Sequence, residues 1–293
     1  MRQGLLGDQQ GAGLNQDPAL WMYLPGLCCQ AAGGDPRWAD EVAAAWVLCY
    51  AAAQLFDNLE DQDPLESKWP SPGVALNAAC GLLFSASLVL NQIKSGSKVQ
   101  SLAAQVGVVF FNALLSMASG QHRDLVQPEP TLEDWLETAA AKSGAFFGLA
   151  CRVGARLATD EMPRLEGFVG FGRHLGTSIQ ILDDLGDLRA LSDAGDPVLS
   201  AEFSKSLPVA YAREVCPEPV KAHLLKRLES GKHDVAAAWE ALQLLKENGA
   251  EIYILAEIER QRGLALAALE QVRPEPAAGE QLAGMLHRLD DYL

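Results

Sequence analysis

Twice in this chain a pair of aspartates one helical turn apart closes an otherwise apolar helix. At 172–188, Leu175, Ile179, Ile181 and Leu182 recur at helical spacing and predict a helix. Asp183 and Asp187 then share one face, with Asp184 beside them. The apolar run from Trp46 to Phe56 leads into Asp57-Asn-Leu-Glu-Asp61, where Asp57 and Asp61 are again a turn apart and Glu60 and Asp63 lie close by. Carboxylates stacked in this way repel one another, and burying them without a counter-charge is costly. A single such string is as often a solvated helix end. Two at the same spacing call for a fold that brings both helix ends to one place. Donors that are all oxygen, without His or Cys, suit magnesium, which keeps most of its waters and bridges to phosphates. Cations held between the pairs would grip an anion rich in oxygen, and a diphosphate fits.

The rest of the chain agrees with an all-helical frame. Ala, Leu, Glu and Gln dominate, no alternating strand pattern stands out, and Pro and Gly clusters mark helix breaks. Between the breaks the spacing predicts helices at 19–32, 38–62, 73–93, 98–125, 131–158, 164–190, 199–215, 218–229, 233–247, 250–272 and 277–291. Those at 38–62, 98–125, 131–158 and 164–190 are apolar on most faces, as helices in the centre of a bundle are. Nothing divides the chain into two folding units, so residues 19–293 form one all-α domain. Residues 1–18, rich in Gly and Gln, are expected to be disordered and are not a signal peptide.

Composition excludes several partners. A formal net charge of −15 without a basic tract argues against nucleic acid and against an anionic membrane face. The six cysteines are scattered and form no C-x-x-C pair, which indicates thiols in a reducing compartment. The apolar runs are each interrupted before bilayer-spanning length, so no stable membrane anchor is expected and the protein is read as cytoplasmic. No histidines pair at zinc-ligand spacing.

Two lysines extend the diphosphate argument. Lys142 lies inside an apolar helix and Lys205 in Phe203-Ser-Lys-Ser-Leu-Pro208. Such lysines commonly snorkel to the surface; the alternative is a point-charge contact to phosphate oxygen. The charges balance, at about +6 for three magnesium ions and about +2 for two lysines against about −5 for five aspartates and about −3 for a diphosphate.

These residues stand in the order of the polyprenyl synthetase (trans-isoprenyl diphosphate synthase) family, which the chain resembles over about residues 24–212. The pieces are Ala31-Ala-Gly-Gly-Asp-Pro36, Asp57–Asp61, Gly73–Asn77, Gly120-Gln-His-Arg-Asp-Leu125, Leu132–Leu136 leading to Lys142-Ser-Gly144, Gly172-Arg-x-Leu-Gly, Gln180 to Asp187, and Lys205-Ser-Leu-Pro208. The resemblance implies an isoprenoid synthase-like bundle with a central cavity capped by the two aspartate motifs. Three Mg2+ ions on Asp57, Asp61, Asp183, Asp184 and Asp187 would bind the diphosphate of an allylic prenyl substrate. With Lys142 and Lys205 they would stabilise its departure, leaving an allylic carbocation for isopentenyl diphosphate to capture. A homodimer is also implied. Gln180 could face the cation, and Gln121 and Asp124 could orient Lys142 or water; core hydrogen bonding explains these three at least as well. Phe110, Phe111, Phe146 and Phe147 offer π faces or plain core.

The sequence departs from the family pattern where isopentenyl diphosphate is held. Asn58 stands where a second Asp is usual. Trp21, Met22 and Leu24 fall where basic residues are expected. Glu66-Ser67 replaces an Arg-Arg pair, with only Lys68 nearby. A diphosphate without cations binds poorly. The allylic half is therefore read as kept and the isopentenyl half as altered. That leaves three acceptors: isopentenyl diphosphate held by other cations, the cation's own double bond or water as in a terpene synthase, or a peptide, as in bacterial enzymes that prenylate a tryptophan of a pheromone. Asp57-Asn-Leu-Glu-Asp61 also looks like the head-to-head squalene and phytoene synthases, which the remaining motifs do not fit. A degenerate regulatory subunit is the non-enzyme reading, against which the retained aspartates and lysines argue. Below Asp57, Ala53 leaves space and Tyr50, about 10 Å down the helix, forms a floor suited to a fifteen- to twenty-carbon chain.

Overall fold

The computed structural model describes residues 21–61, 68–93 and 100–293. The expected disordered segment 1–18, and with it Asp63, Glu66 and Ser67, lies outside them. Among the described residues the chain is helical and carries no strand. In order it forms α1 (Leu24–Ala31), a 3-10 turn (Pro36–Ala39), α2 (Asp40–Glu60), α3 (Pro72–Leu90), α4 (Gln100–Val126), α5 (Leu132–Ala139), a π-helical segment (Ala140–Gly144) and α6 (Ala145–Arg156). Then follow α7 (Met162–Asp193), a 3-10 turn (Phe203–Lys205), α8 (Leu207–Val215), α9 (Glu218–Ser230), α10 (Val235–Glu247), α11 (Ala250–Gln271), α12 (Pro276–His287) and a final 3-10 turn (Arg288–Tyr292).

The long helix α7 is the axis of the core. It buries Leu165, Phe168, Phe171, Leu175, Ile179, Ile181 and Leu185. Glycines let neighbouring backbones touch it. A Cβ on Gly172 would lie 2.5 Å from the Phe147 carbonyl oxygen, and one on Gly176 would lie 2.3 Å from that of Ser143. On the far side of α6, a Cβ on Gly154 would sit 2.1 Å from the carbonyl oxygen of Pro25 in α1. The helix expected at 131–158 starts as the spacing predicts, with a reciprocal cap between Thr131 and Asp134. It then widens into the π turn at Ala140–Gly144 before continuing as α6. Widened turns of this kind are rare and occur often at functional sites.

The structure corrects three expectations. The segment 199–215 is not one helix. Ser206 is extended (φ −63°, ψ 160°), and α8 starts only after it. Pro208 has no N–H to continue a helix from the 3-10 turn, and its ring would collide with the carbonyl of Ser204. Helix α4 is not central: Phe110 and Val106 are buried, but Val108, Phe111, Leu115, Leu125 and Val126 face outward. Finally, interruptions in the apolar runs do not keep every helix short of a bilayer span. Pro36–Glu60 and Pro72–Leu90 are each long and apolar enough by length and composition. The core helix of a soluble protein passes the same test, and α2 buries Val42, Trp46, Cys49, Tyr50 and Leu55. Helix α3 leaves Val74, Leu76, Phe84 and Leu88 exposed, so α3 and α4 both present apolar surface.

Candidate active site

Several elements deliver charged side chains to one end of the bundle. The last turn of α2 brings Asp57, with Asp61 capping its end, the last turns of α4 bring Asp124, and the π turn brings Lys142. Helix α7 brings Gln180 and the second aspartate motif, and the 3-10 turn brings Lys205. Lys142 Nζ donates to Asp124 Oδ2 at 2.7 Å and to Asp57 Oδ1 at 3.4 Å. Lys205 Nζ donates to the Asp124 carbonyl oxygen at 3.4 Å and pairs with Glu202 at 2.8 Å. The Ser143 hydroxyl donates to Gln180 Oε1 at 2.8 Å, and the Leu207 N–H donates to Asp184 Oδ2 at 2.6 Å. Lys142 is not a snorkelling lysine: its side chain is only 16% exposed.

The two aspartate motifs feel overlapping fields. The Asp61 carboxyl is raised to about 7, by burial first and then by Asp57, Glu202 and Asp124, against Lys142. Asp184 is also raised to about 7, by burial first and then by Asp187 and Asp124, against the Leu207 N–H and Lys142. Asp124 thus repels one carboxylate of each motif, so both face a common space. Burial alone would lower the Lys142 ammonium, but Asp57 and Asp124 outweigh it and hold the group well above its ordinary value. The site has more negative charge than its lysines neutralise. Among the described residues no three carboxylate, imidazole or thiol groups form a ready-made cation cage. The donors nevertheless fit hard divalent cations in chemistry: they are all oxygen, and their mutual repulsion is what a cation would relieve.

Of the residues singled out in the sequence, Asp57, Asp61, Lys142, Lys205, Gln180 and Asp184 are joined by these contacts. Asp183 and Asp187 lie one turn apart on the same face of α7, and Asp187 acts on Asp184. Lys68 is exposed, with its Nζ over the Trp69 ring at 5.7 Å. Ala53 is half-buried on the Asp57 helix. Tyr50 is stacked against Phe146 and Trp46, with ring centroids at 6.0 and 5.8 Å. Trp46 stacks on Phe146 at 4.7 Å and donates its indole N–H to the Phe146 carbonyl at 3.0 Å. Phe110, Phe146 and Phe147 are core, and Phe111 is exposed. The sequence alone favours core hydrogen bonding for Asp124 at least as much as a contact to Lys142, and it does not single out Glu202. The spacing Glu202-x-x-Lys205 was the available signal for the latter. A cavity of about 30 Å³, enough for a water or two, opens beside Lys142 and is lined by Arg123, Asp124, Trp135 and Gln180. A larger open groove of about 630 Å³ runs along the other side of the π turn, between α4 and α7.

Comparison with known proteins gives a consistent result. The family model described as polyprenyl synthetase matches residues 28–245. Geranylgeranyl diphosphate synthase of Mycobacterium tuberculosis is 29% identical over 230 residues, covering 76% of this chain and 62% of that enzyme. The tryptophan prenyltransferase ComQ of Bacillus subtilis subsp. natto is 29% identical over 154 residues, covering 52% of this chain and 46% of that one. The chain thus spans less than two thirds of either relative. Among solved structures, geranylgeranyl pyrophosphate synthetase from Pyrococcus horikoshii superposes with a TM-score of 0.79 at 25% identity, covering 94% of this chain and 85% of that one.

The raised carboxylates predict a pH dependence. An aspartate in the unfolded chain titrates near 3.9, whereas Asp61 and Asp184 titrate at about 7 in the fold. Between these values the native protein holds protons that the unfolded chain has released, so these groups lower stability as pH rises from about 4 to about 7. Thermal melts of magnesium-free protein should show Tm falling from pH 5 to 7.5, and Asp61→Asn should make that fall shallower. A variant whose slope equals that of the wild type would remove Asp61 as a source of it.

Proposed function

Because the chain belongs to the polyprenyl synthetase family of prenyltransferases, we propose that it ionises an allylic prenyl diphosphate in a magnesium-dependent step and transfers the prenyl group, as isoprenyl diphosphate synthases do. The observation that carries this reading is Lys142, held by Asp57 of the first aspartate motif and by Asp124, which also repels Asp184 of the second. In this reading Asp57, Asp61, Asp183 and Asp187 hold about three magnesium ions, with Asp184 beside them. When bound, the cations supply positive charge to the diphosphate as it leaves. Lys142 and Lys205 offer N–H donors to its oxygens. The bond between the allylic carbon and oxygen breaks with its electron pair going to diphosphate, leaving an allylic carbocation. In elongation, the double bond of isopentenyl diphosphate forms the new carbon–carbon bond, and a proton is then lost. The apolar α2–α6 seam below Asp57 receives the prenyl tail and excludes water, and the Tyr50, Phe146 and Trp46 rings close it.

A second reading concerns the acceptor alone. Trp21 and Leu24 have no exposed surface, at positions where the family pattern calls for cations that hold isopentenyl diphosphate. Trp21 instead packs edge-on against Phe147 at 5.4 Å. This burial, with the similarity to a tryptophan prenyltransferase, favours capture of the cation by a peptide side chain, or by water or an internal double bond. The reading in which the chain is a degenerate regulatory subunit predicts no turnover at all.

The deciding experiment is diphosphate release from geranyl, farnesyl and geranylgeranyl diphosphate, with magnesium or with chelator, with and without isopentenyl diphosphate, the product being identified by mass. Elongated diphosphates are expected if the second substrate binds, and a hydrocarbon or alcohol without it would establish the other acceptor. Asp183→Ala should reduce release by at least about 100-fold with unchanged helix content; normal release would end the metal-holding role. Chain length is read separately. Ala53→Phe should shorten the longest substrate accepted, and an unchanged length profile would put Ala53 outside the tail path. The outward apolar residues of α3 and α4 support the homodimer that the family implies. Light scattering should report about 63 kDa, twice the 31.4 kDa chain, and Phe84→Glu with Leu88→Glu should halve it. A wild-type mass of one chain would refute the dimer.

A further inference from the structure

Asp184 makes a contact that a cation ligand has no need of. Its Oδ2 accepts the N–H of Leu207, the first residue of α8, at 2.6 Å. The first N–H groups of a helix have no partner within it and are normally capped by a side chain just before them. The residue in that place is Ser206, a favoured capping type, but it makes no cap here. Its hydroxyl turns back and donates to the Phe203 carbonyl at 2.7 Å. Pro208, next in the helix, has no N–H to cap. The cap on α8 is therefore supplied from a distant part of the chain, by α7, and its charge complements the positive end of the α8 dipole.

The capped helix end follows directly, through Ser206, on the turn that carries Lys205. Phe203–Lys205 forms the 3-10 turn, anchored by the buried Phe203 ring and by the Phe203 N–H bond to Ser200 Oγ at 2.9 Å. From it Lys205 reaches the Asp124 carbonyl and Glu202. Resting on the function proposed above, we infer that Asp184 is a positioning residue. It clips the Lys205 turn to the second aspartate motif, so that the lysine and the cation-holding carboxylates Asp183 and Asp187 keep a fixed separation. The motif divides its work: two aspartates a turn apart serve the cations, and the one between them holds the cationic turn in place.

The variants Asp184→Asn and Asp184→Ala separate the two roles. The asparagine amide oxygen can still accept the Leu207 N–H but carries no charge, whereas alanine removes the acceptor. Hydrogen exchange of the magnesium-free protein gives a readout independent of turnover. Asp184→Ala should speed exchange across 203–210 by roughly ten-fold or more, as expected for loss of a hydrogen bond to a charged group. Asp184→Asn should leave it within about three-fold. Equal exchange in all three proteins would overturn the clip. Kinetically, Asp184→Ala should raise KM for the allylic diphosphate without moving the magnesium concentration that gives half-maximal rate. Asp184→Asn should restore that KM, and adding Asp184→Ala to Lys205→Ala should cost no more than about two-fold, because both act through one lysine. If Asp184→Asn is as impaired as Asp184→Ala and both need more magnesium, Asp184 is a cation ligand and the inference falls. If the wild type releases no diphosphate, the functional reading fails while the exchange result still decides the clip.

Discussion

The structure depends on one electrostatic problem, the gathering of carboxylates at the end of a bundle that is otherwise apolar. Lys142 is the central part of the answer. Burial by itself would lower its pKa, yet its ammonium is held more firmly than in water, so the field of Asp57 and Asp124 is the larger effect. The compensation is incomplete. Asp61 and Asp184 still hold protons up to about pH 7. A site that completes its compensation by protonating its own acids is poised to take up cations from solution, and this property follows from burial and repulsion without reference to any relative.

Packing around α7 decides where that lysine can be. The bare backbones of Gly172 and Gly176 allow α6 and the π turn to sit against α7 at distances no side chain would permit. The π turn lies at this closest approach, beside the carbonyl of Ser143. Lys142 then points to Asp124 and Asp57 while its neighbour Ser143 donates to Gln180. A tight glycine contact, a rare helical geometry and a buried charge therefore meet within three residues. Such a coincidence is expected where local regularity is given up for a functional geometry.

How much of this could be read beforehand depended on the range of the interaction. The aspartate pairs were legible because a spacing of four residues fixes them on one helix face whatever the fold. Lys142 and Lys205 were legible as charges in the wrong surroundings. The π turn was not, since Ala140–Gly144 reads as ordinary helix and widens only where Ser143 meets Gly176. The Leu207 cap was also hidden, because Ser206 is the type of residue that caps its own helix and only the fold shows that it does not. Helix α4 was misplaced for a different reason. Its composition suits a core position, and the period of its apolar residues says nothing about whether another chain or solvent lies opposite.

Beneath the charged end, α2 and α6 carry a graded seam. Asp57 and Lys142 meet at the top, and Tyr50 and Phe146 stack further down, with Trp46 completing the block through its bond to the Phe146 carbonyl. Between these two levels stands the small Ala53 of α2. The side chains so arranged offer charge to a diphosphate, little bulk just below it, and aromatic surface beyond. A carbocation formed in that middle layer would lie between the aromatic block and the anion it had just left. On the function proposed above, an aromatic block that limited the length of the tail would also bear on the survival of the cation, coupling the two properties through Tyr50 and Phe146.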